Sequence, residues 1–181
     1  MFVDGEQVRT GVVRAAVRAD IGLVPEERKA QALLMLESVT RNVSVSTLGR
    51  FSRVGWIDRA SERAAAQQVT RGLALHPDNP DIQVRNLSGG NQRKAVLARW
   101  LLRGCRVQPL DEPTRGVDIG ARVELYAVIR RLADEGRAVL VVSSEVPEVL
   151  GLADRVLALR EDRVVHTAPP TSWTNMAYSI S

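Results

Sequence analysis

Only one of the 181 residues is a cysteine, Cys105. An internal disulfide is therefore excluded, and a single thiol fits a reducing compartment. Cys105 follows Gly104 at the end of an apolar helical stretch, where a buried, inert thiol is expected. Aromatic residues make up only 4% of the chain, and no segment alternates them with basic residues. The net charge of +4 is spread along the whole length. Stacking platforms for bases are thus missing, and no nucleic acid is expected among the partners. No apolar run approaches the roughly 18 residues of a membrane span. The opening "MFVDGEQVRT" lacks the apolar core of a signal peptide. His76 and His166 stand alone, without cysteine or histidine at metal-ligand spacing, so surface or turn roles are expected for both.

What the chain does have is ordinary globular composition, 45% hydrophobic, with length for one sizeable core. "FVDGEQVRT" carries an Asp-Gly turn signal and reads as a hairpin end. "VVRAAVRA" reads as a short helix with a packed face, and "IGLVP" as a strand stopped at Pro25. Residues 30–85 read as helical, with Asp58 or Ser61 capping "DRASERAAAQQVTRGLAL", until "HPDNPD" breaks the pattern. A helix then runs from Ser88 to a stop at Gly104, followed by a strand at "RVQPL". The next helix begins after Asp118, a plausible N-cap, and stops at Gly136. "RAVLVVSS" is a continuous apolar run of the kind a strand buried on both faces shows. "EVPEVLGLA" is a short helix, and "DRVLALREDRVVHT" a terminal hairpin. The alternation predicts an α/β fold with a mostly parallel sheet, into which the 30–85 helices are inserted.

Two stretches carry chemistry. In "NLSGGNQRK", Ser88 can cap the helix, while Gly89 and Gly90 leave the backbone open to close approach by a ligand. Free N–H groups and the helix dipole at such a start suit phosphate oxygens. In "LDEPTRGVD", Asp111 and Glu112 stand at the carboxyl end of a strand, where open α/β sheets place their ligands. One carboxylate there can hold Mg²⁺ through its water shell, and the adjacent one can orient an attacking water.

With both stretches in view, the chain resembles the nucleotide-binding domain of ATP-binding-cassette (ABC) transporters. "LSGGNQ" is similar to that family's signature motif, and "LDEPTRGVD" to its magnesium-and-base strand (Walker B) followed by the D-loop. "IGLVPEERK" resembles the Q-loop, with Glu26 where most members carry glutamine, and "VLVVSSEVPEVLGLADRVLAL" resembles the switch strand and the segment after it. The likeness runs over residues 3–166. "VPEERK", "DEPTRGVDIGA" and "SSEVPEVLGLADR" resemble most the second half of the two-domain ATPases of ribose, galactose and xylose importers.

The resemblance implies a P-loop NTPase-like ABC ATPase core, with ATP and Mg²⁺ as cofactors. It places Asp111 on the metal, with Glu112 and Ser144 at the catalytic positions. Ser88, Gly89, Gly90, Asn91, Asp118 and Glu26 fall at nucleotide-facing or interface positions. It implies one ABC domain over residues 1–166, with a helical part at 30–85 and the signature, Walker B, D-loop and switch at 86–166, and a disordered tail over 167–181. It further implies a peripheral location on the cytoplasmic face of the membrane. The partners would be transmembrane permease subunits, a second nucleotide-binding domain with an intact Walker A loop and, indirectly, a sugar-binding protein.

Three features depart from the family. The phosphate-cradling pattern G-x-x-x-x-G-K-[ST] occurs nowhere in the 181 residues, and Lys29 and Lys94 stand in other contexts. The expectation is therefore a domain without its first strand, phosphate loop and first helix. Ser144 occupies the position where histidine is common, and a hydroxyl cannot become positively charged. Pro109 and Gln108 interrupt a strand expected to be apolar. Two readings of activity stay open: a partial ATPase subunit whose "LSGGN" completes a partner's ATP site, or a non-catalytic, binding-only remnant. A DNA-associated ATPase of the same superfamily would carry heptad-repeat insertions, and none is present.

Overall fold

The computed structural model describes residues 1–173. Its centre is a 15-residue helix, α5 (Gly89–Arg103), with buried residues on every side. Ala95, Val96 and Ala98 are fully buried, and the small alanines let α3 (Val39–Ser44) approach closely through Val39 and Val43. Each large aliphatic side chain buried here contributes roughly 1.5–3 kcal/mol. The same helix buries Gln92, Arg93, Lys94 and Arg99, which must therefore find partners inside the protein. Gln92 Nε2 donates to Val84 O and Leu87 O, Lys94 Nζ to Ala74 O, and Arg99 Nε to Asn42 O. The stop at Gly104 is the expected one: φ is +89°, a left-handed cap that glycine adopts without penalty.

Helix α5 leads into β5 (Val107–Asp111), which pairs in parallel with β6 (Ala138–Val142) from Val107↔Ala138 to Asp111↔Val142. The crossover is α6 (Ile119–Asp134), capped by Asp118, whose carboxylate accepts from Ala121 N at 2.9 Å. On its other edge β5 meets residues 21–24 through the parallel bridges Ile21↔Val107 and Val24↔Leu110.

Pro109 explains why those contacts remain bridges. Odd-numbered residues of β5 face the 20–24 segment: Val107 N donates to Asp20 O, Val24 N to Pro109 O, and Asp111 N to Val24 O. The N–H that Pro109 lacks would point to the same side, so one rung of that ladder is missing. The even-numbered residues serve β6, where Glu112 N donates to Val142 O at 2.8 Å, and the five-residue pairing is unbroken. Gln108 is fully buried; its Nε2 reaches Cys105 O at 3.4 Å, while its Oε1 has no partner among the described residues.

Two expectations need correction. Strand β6 is not buried on both faces. Val139 and Val141 pack on the core, but Leu140 and Val142 are 49% and 47% exposed. Among the described residues no strand pairs with the far edge of β6. An open apolar groove of about 340 Å³ separates it from β7 (Val156–Arg160). Helix α1 (Val13–Arg18) likewise has no buried residue: Ala15, Ala16 and Val17 are half-buried and Val13 is 80% exposed.

Hairpins surround this parallel core. β1 (Phe2–Val3) and β2 (Glu6–Gln7) join through Asp4 and Gly5, both at positive φ as a two-residue type I′ turn requires. β7 pairs antiparallel with β8 (Arg163–Ala168), as expected of the terminal segment. Past β8, Trp173 stands edge-on to His166 with ring centroids 5.0 Å apart. The rest of the expected tail, 174–181, lies outside the described residues.

The 30–85 region is helical in α2 (Arg28–Gln31), α3 and α4 (Arg59–Gly72). Asp58 caps α4 by accepting from both Ser61 N and Ser61 Oγ, which joins the two expected capping residues in one device. A hairpin not expected from the sequence also lies here, β3 (Ser52–Arg53) with β4 (Trp56–Ile57). Its turn places Val54 at φ +50°, a conformation a β-branched residue rarely takes, so no turn signal is visible in the sequence. Among the described residues, no helix is long and apolar enough to cross a membrane.

Candidate functional site

The start of α5 is built as the sequence predicts, but its residues divide the work differently. Ser88 is exposed and caps the helix, accepting from Asn91 N at 3.4 Å and from Asn91 Nδ2 at 3.0 Å. The side-chain carbonyl of Asn91 accepts from His76 N at 2.9 Å. Both ends of that amide are thus engaged, and Asn91 holds Ser88 and the His76 loop in place. Gly90 is small for a packing reason: an added Cβ would lie 3.1 Å from Ala121 Cβ on α6. Gly89 faces Arg28, whose Nη2 would stand 2.8 Å from an added Cβ. The N–H groups of Gly89 and Gly90 open the helix and precede its first internal bond, from Gln92 N to Ser88 O.

The second group gathers where β5 and β6 end. Asp111 closes β5, and its carboxylate meets no side-chain partner among the described residues. Glu112 is next in the chain, with φ +45°, a conformation costing a non-glycine residue of order 1–3 kcal/mol. Its backbone stays tied to β6 through Val142 O, and its Oε1 accepts from Ser144 N at 2.8 Å. Glu112 and Ser144 are therefore direct neighbours, joined through the backbone of Ser144. The adjacent Ser143 makes the turn: its hydroxyl donates to Glu148 and accepts from Glu145 N. Buried Glu148 also accepts from Thr114 Oγ1 at 2.8 Å, which fixes the loop after Glu112.

Arg93, in the second turn of α5, joins the two groups. It is 2% exposed, and its Nη2 donates to the backbone carbonyls of Glu112 and Arg115. Burial, aided by the nearby Arg28 charge, depresses its guanidinium pKa to about 10. Glu26 is ion-paired with Arg115. Asp118, exposed, spends one carboxylate oxygen on capping α6. Lys94, whose sequence context does not match a phosphate-loop lysine, is a buried structural cation held by Ala74 O and by Glu124 at 2.7 Å. Cys105 is fully buried, and burial raises its thiol pKa, as expected of an inert residue.

Among the described residues no three His, Cys, Asp or Glu side chains are grouped to hold a metal by themselves. A single carboxylate suits Mg²⁺, which keeps several waters and takes its remaining ligands from phosphate. Asp111 fits that part. Four residues of this region do not stand out in the sequence: Arg28, Arg93, Ser143 and Glu148. A charge run such as "NQRK" on an otherwise apolar helix is the available signal for Arg93.

The ABC transporter family pattern matches residues 1–115. The ribose import ATP-binding protein RbsA of Corynebacterium glutamicum is 42% identical over all of this chain and 35% of its own length. RbsA of Chelativorans sp. is 47% identical over 91% of this chain and 32% of its own length. A putative ribose/galactose/methyl galactoside import ATP-binding protein of Agrobacterium fabrum is 44% identical over 89% of this chain and 32% of its own length. The chain thus spans about a third of these relatives. Among solved structures, the ATP-binding cassette MJ0796, a dimer bound to ADP and Pi, superposes with TM-score 0.74 at 18% identity. That match covers 93% of this chain and 72% of the other. CbiO1 of Clostridium perfringens superposes with TM-score 0.76 at 19% identity, covering 98% of this chain and 68% of the other. These two likenesses speak for the fold.

Proposed function

The chain belongs to the ABC transporter family, and from that premise we propose that it forms part of the ATP-binding subunit of a monosaccharide importer. In this reading it couples ATP binding and hydrolysis to uptake, and its "LSGGN" loop completes an ATP site held mainly by a second nucleotide-binding domain with an intact Walker A loop. The observation that carries the proposal is the start of α5, where exposed Ser88 and half-buried Gly89 stand at the open end of a rigid, buried helix, with buried Gly90 behind them. Donors fixed in this way stabilise charge on a transferring phosphoryl group without reorganising. Asn91 positions Ser88, and exposed Asp118 lies on the interface between the two domains.

On this chain's own side, Asp111 would hold Mg²⁺ through water, and the ion would neutralise phosphate charge when bound. Glu112 would orient the attacking water, with its carboxylate aimed by the Ser144 N–H. Ser144 contributes its backbone N–H to this arrangement. Glu26 and the 30–85 helices would face transmembrane permease subunits, on the cytoplasmic side of the membrane. A sugar-binding protein would take part only through that permease.

In the complex assembled with a second domain, Ser88→Arg should lower ATP turnover several-fold and leave nucleotide binding in place. Turnover equal to the parent's would overturn the proposal.

A second reading, a truncated non-catalytic remnant or binding-only module, draws on Pro109 and the unpaired Gln108 Oε1, which weaken the strand that carries Asp111. Calorimetry of ATP with the purified chain separates the two. Micromolar affinity for the chain alone contradicts the remnant reading.

A further inference from the structure

Between the 26–29 turn and the 115–116 loop lies a polar cavity of about 290 Å³. Its walls carry four cations, Arg28, Lys29, Arg93 and Arg115, against two carboxylates, Glu26 and Glu27. Glu26 is already paired with Arg115. Glu27 makes no ion pair among the described residues. Arg28 is half-buried, its Nε held by Gln92 Oε1 at 3.3 Å, and burial lowers its pKa.

Arg93 is the decisive group. It is 2% exposed and lines the cavity, yet among the described residues its Nε and Nη1 have no hydrogen-bond partner. A buried guanidinium normally satisfies its fork of donors with a carboxylate or another oxyanion. Here the largest influence from a side-chain charge is the like charge of Arg28, which opposes its protonated form, while Glu148 and Glu26 act more weakly in its favour. Both departures from the normal pattern, unused donors and two crowded cations, are relieved by one negative ligand.

Size narrows the ligand. A water occupies about 30 Å³ in the liquid, so the space suits a small ion with part of its hydration shell. It falls just below the range of about 300–1,000 Å³ usual for drug-sized molecules. Planar forks of arginine match the oxygens of phosphate, and two of them converge on the cavity.

We propose that this cavity binds a phosphate oxyanion, with Arg93 and Arg28 as its principal ligands. The phosphate comes either free or as the terminal group of a nucleotide. Because Arg93 also holds the carbonyls of Glu112 and Arg115, and Arg28 packs on Gly89, an occupied cavity ties the start of α5 to the loop after Glu112. The cavity's chemistry does not depend on the importer reading.

The test is a melting series of the full chain in inorganic phosphate and in ATP, each against sodium chloride of equal ionic strength, with ³¹P line widths recorded in parallel. A saturable rise of roughly 3–6 °C is expected at tenfold excess over Kd. It should be abolished in Arg93→Gln and retained in Arg130→Gln, a surface arginine paired with Asp134 and Asp154 away from the cavity. A response to phosphate identifies the free ion as the source, and a response to ATP alone identifies the nucleotide's phosphate. If Arg93→Gln fails to fold, Arg28→Gln carries the comparison, with at least a tenfold weaker response expected. Absence of a saturable response to both ligands, or a response that both variants keep, overturns the proposal.

Discussion

The carboxylate of Glu112 accepts a hydrogen bond from the backbone N–H of Ser144 at 2.8 Å, across the ends of two paired strands. The bond needs an oxygen at that position but does not need its charge. Glu112→Gln therefore separates geometry from chemistry. The amide keeps the contact and loses the ability to draw a proton from water. In the assembled complex, turnover should fall at least about 100-fold with nucleotide binding retained. The melting temperature should stay within a degree or two of the parent. Unchanged turnover would remove Glu112 from the reaction.

Gly22 and Trp100 make a packing prediction. A Cβ added at Gly22 would sit 2.5 Å from Trp100 Cγ, and the indole is held by its own bond from Nε1 to Leu23 O. The ring cannot swing aside cheaply. Gly22→Ala should cost roughly 1–3 kcal/mol in urea unfolding. In a Trp100→Ala background the same change should cost almost nothing, because the clash is gone. Equal costs in the two backgrounds would show that the glycine is needed for backbone freedom instead.

Lys94 and Glu124 make a prediction about pH. Lys94 is 3% exposed and its partner carboxylate 58% exposed, so the pair's value lies in satisfying the buried ammonium. Glu124→Gln should destabilise by about 0.5–1 kcal/mol at neutral pH, because the amide keeps an acceptor and loses only a partly screened charge. Folding holds Glu124 below its ordinary carboxylate pKa, first through the Lys94 hydrogen bond and then through its charge. The contribution is complete above the ordinary glutamate range and is lost as pH falls through the folded value. Denaturant midpoints measured from pH 7 down to pH 3 should therefore converge for parent and variant. Midpoints that stay equally far apart at every pH would mean that the charge is irrelevant.

Strand β6 makes a prediction about association. Leu140 and Val142 are half-exposed on one face, and the far backbone edge has no neighbouring strand among the described residues. An exposed apolar strand with a free edge is a template for pairing. Leu140→Lys should lower concentration-dependent light scattering of the purified chain without moving its melting temperature by more than a degree or two. Scattering that persists unchanged would place the sticky surface elsewhere.

The helix caps and hairpin turns were legible residue by residue. Ser88, Asp58 and Asp118 cap the helices they precede, Gly104 and Gly136 stand at positive φ, and Asp4-Gly5 makes the predicted turn. Each depends on neighbours within four positions of the chain. The hairpin at Val54-Gly55 was not legible, because its turn places a β-branched residue where such residues are rare.

The candidate site was legible as a set of positions, and less so as a division of labour. Gly90 suggests room for a ligand, and its added Cβ would instead crowd Ala121 from another helix. Asn91 suggests a ligand contact, and its amide is spent on Ser88 and on the backbone of His76. Arg93 and Lys94 look like helix-surface charges beside a motif, and both are buried.

The order of amino acids by itself determined the local conformations and the motifs that mark the family, because short-range sterics and backbone hydrogen bonding act within a few residues. Only the tertiary structure decided which edge of β5 bears the missing rung at Pro109, which face of β6 stays open, and which arginine is left with unused donors. Those outcomes depend on groups brought together from distant parts of the chain, such as Arg28 and Arg93, and burial exists only once the chain has folded around them.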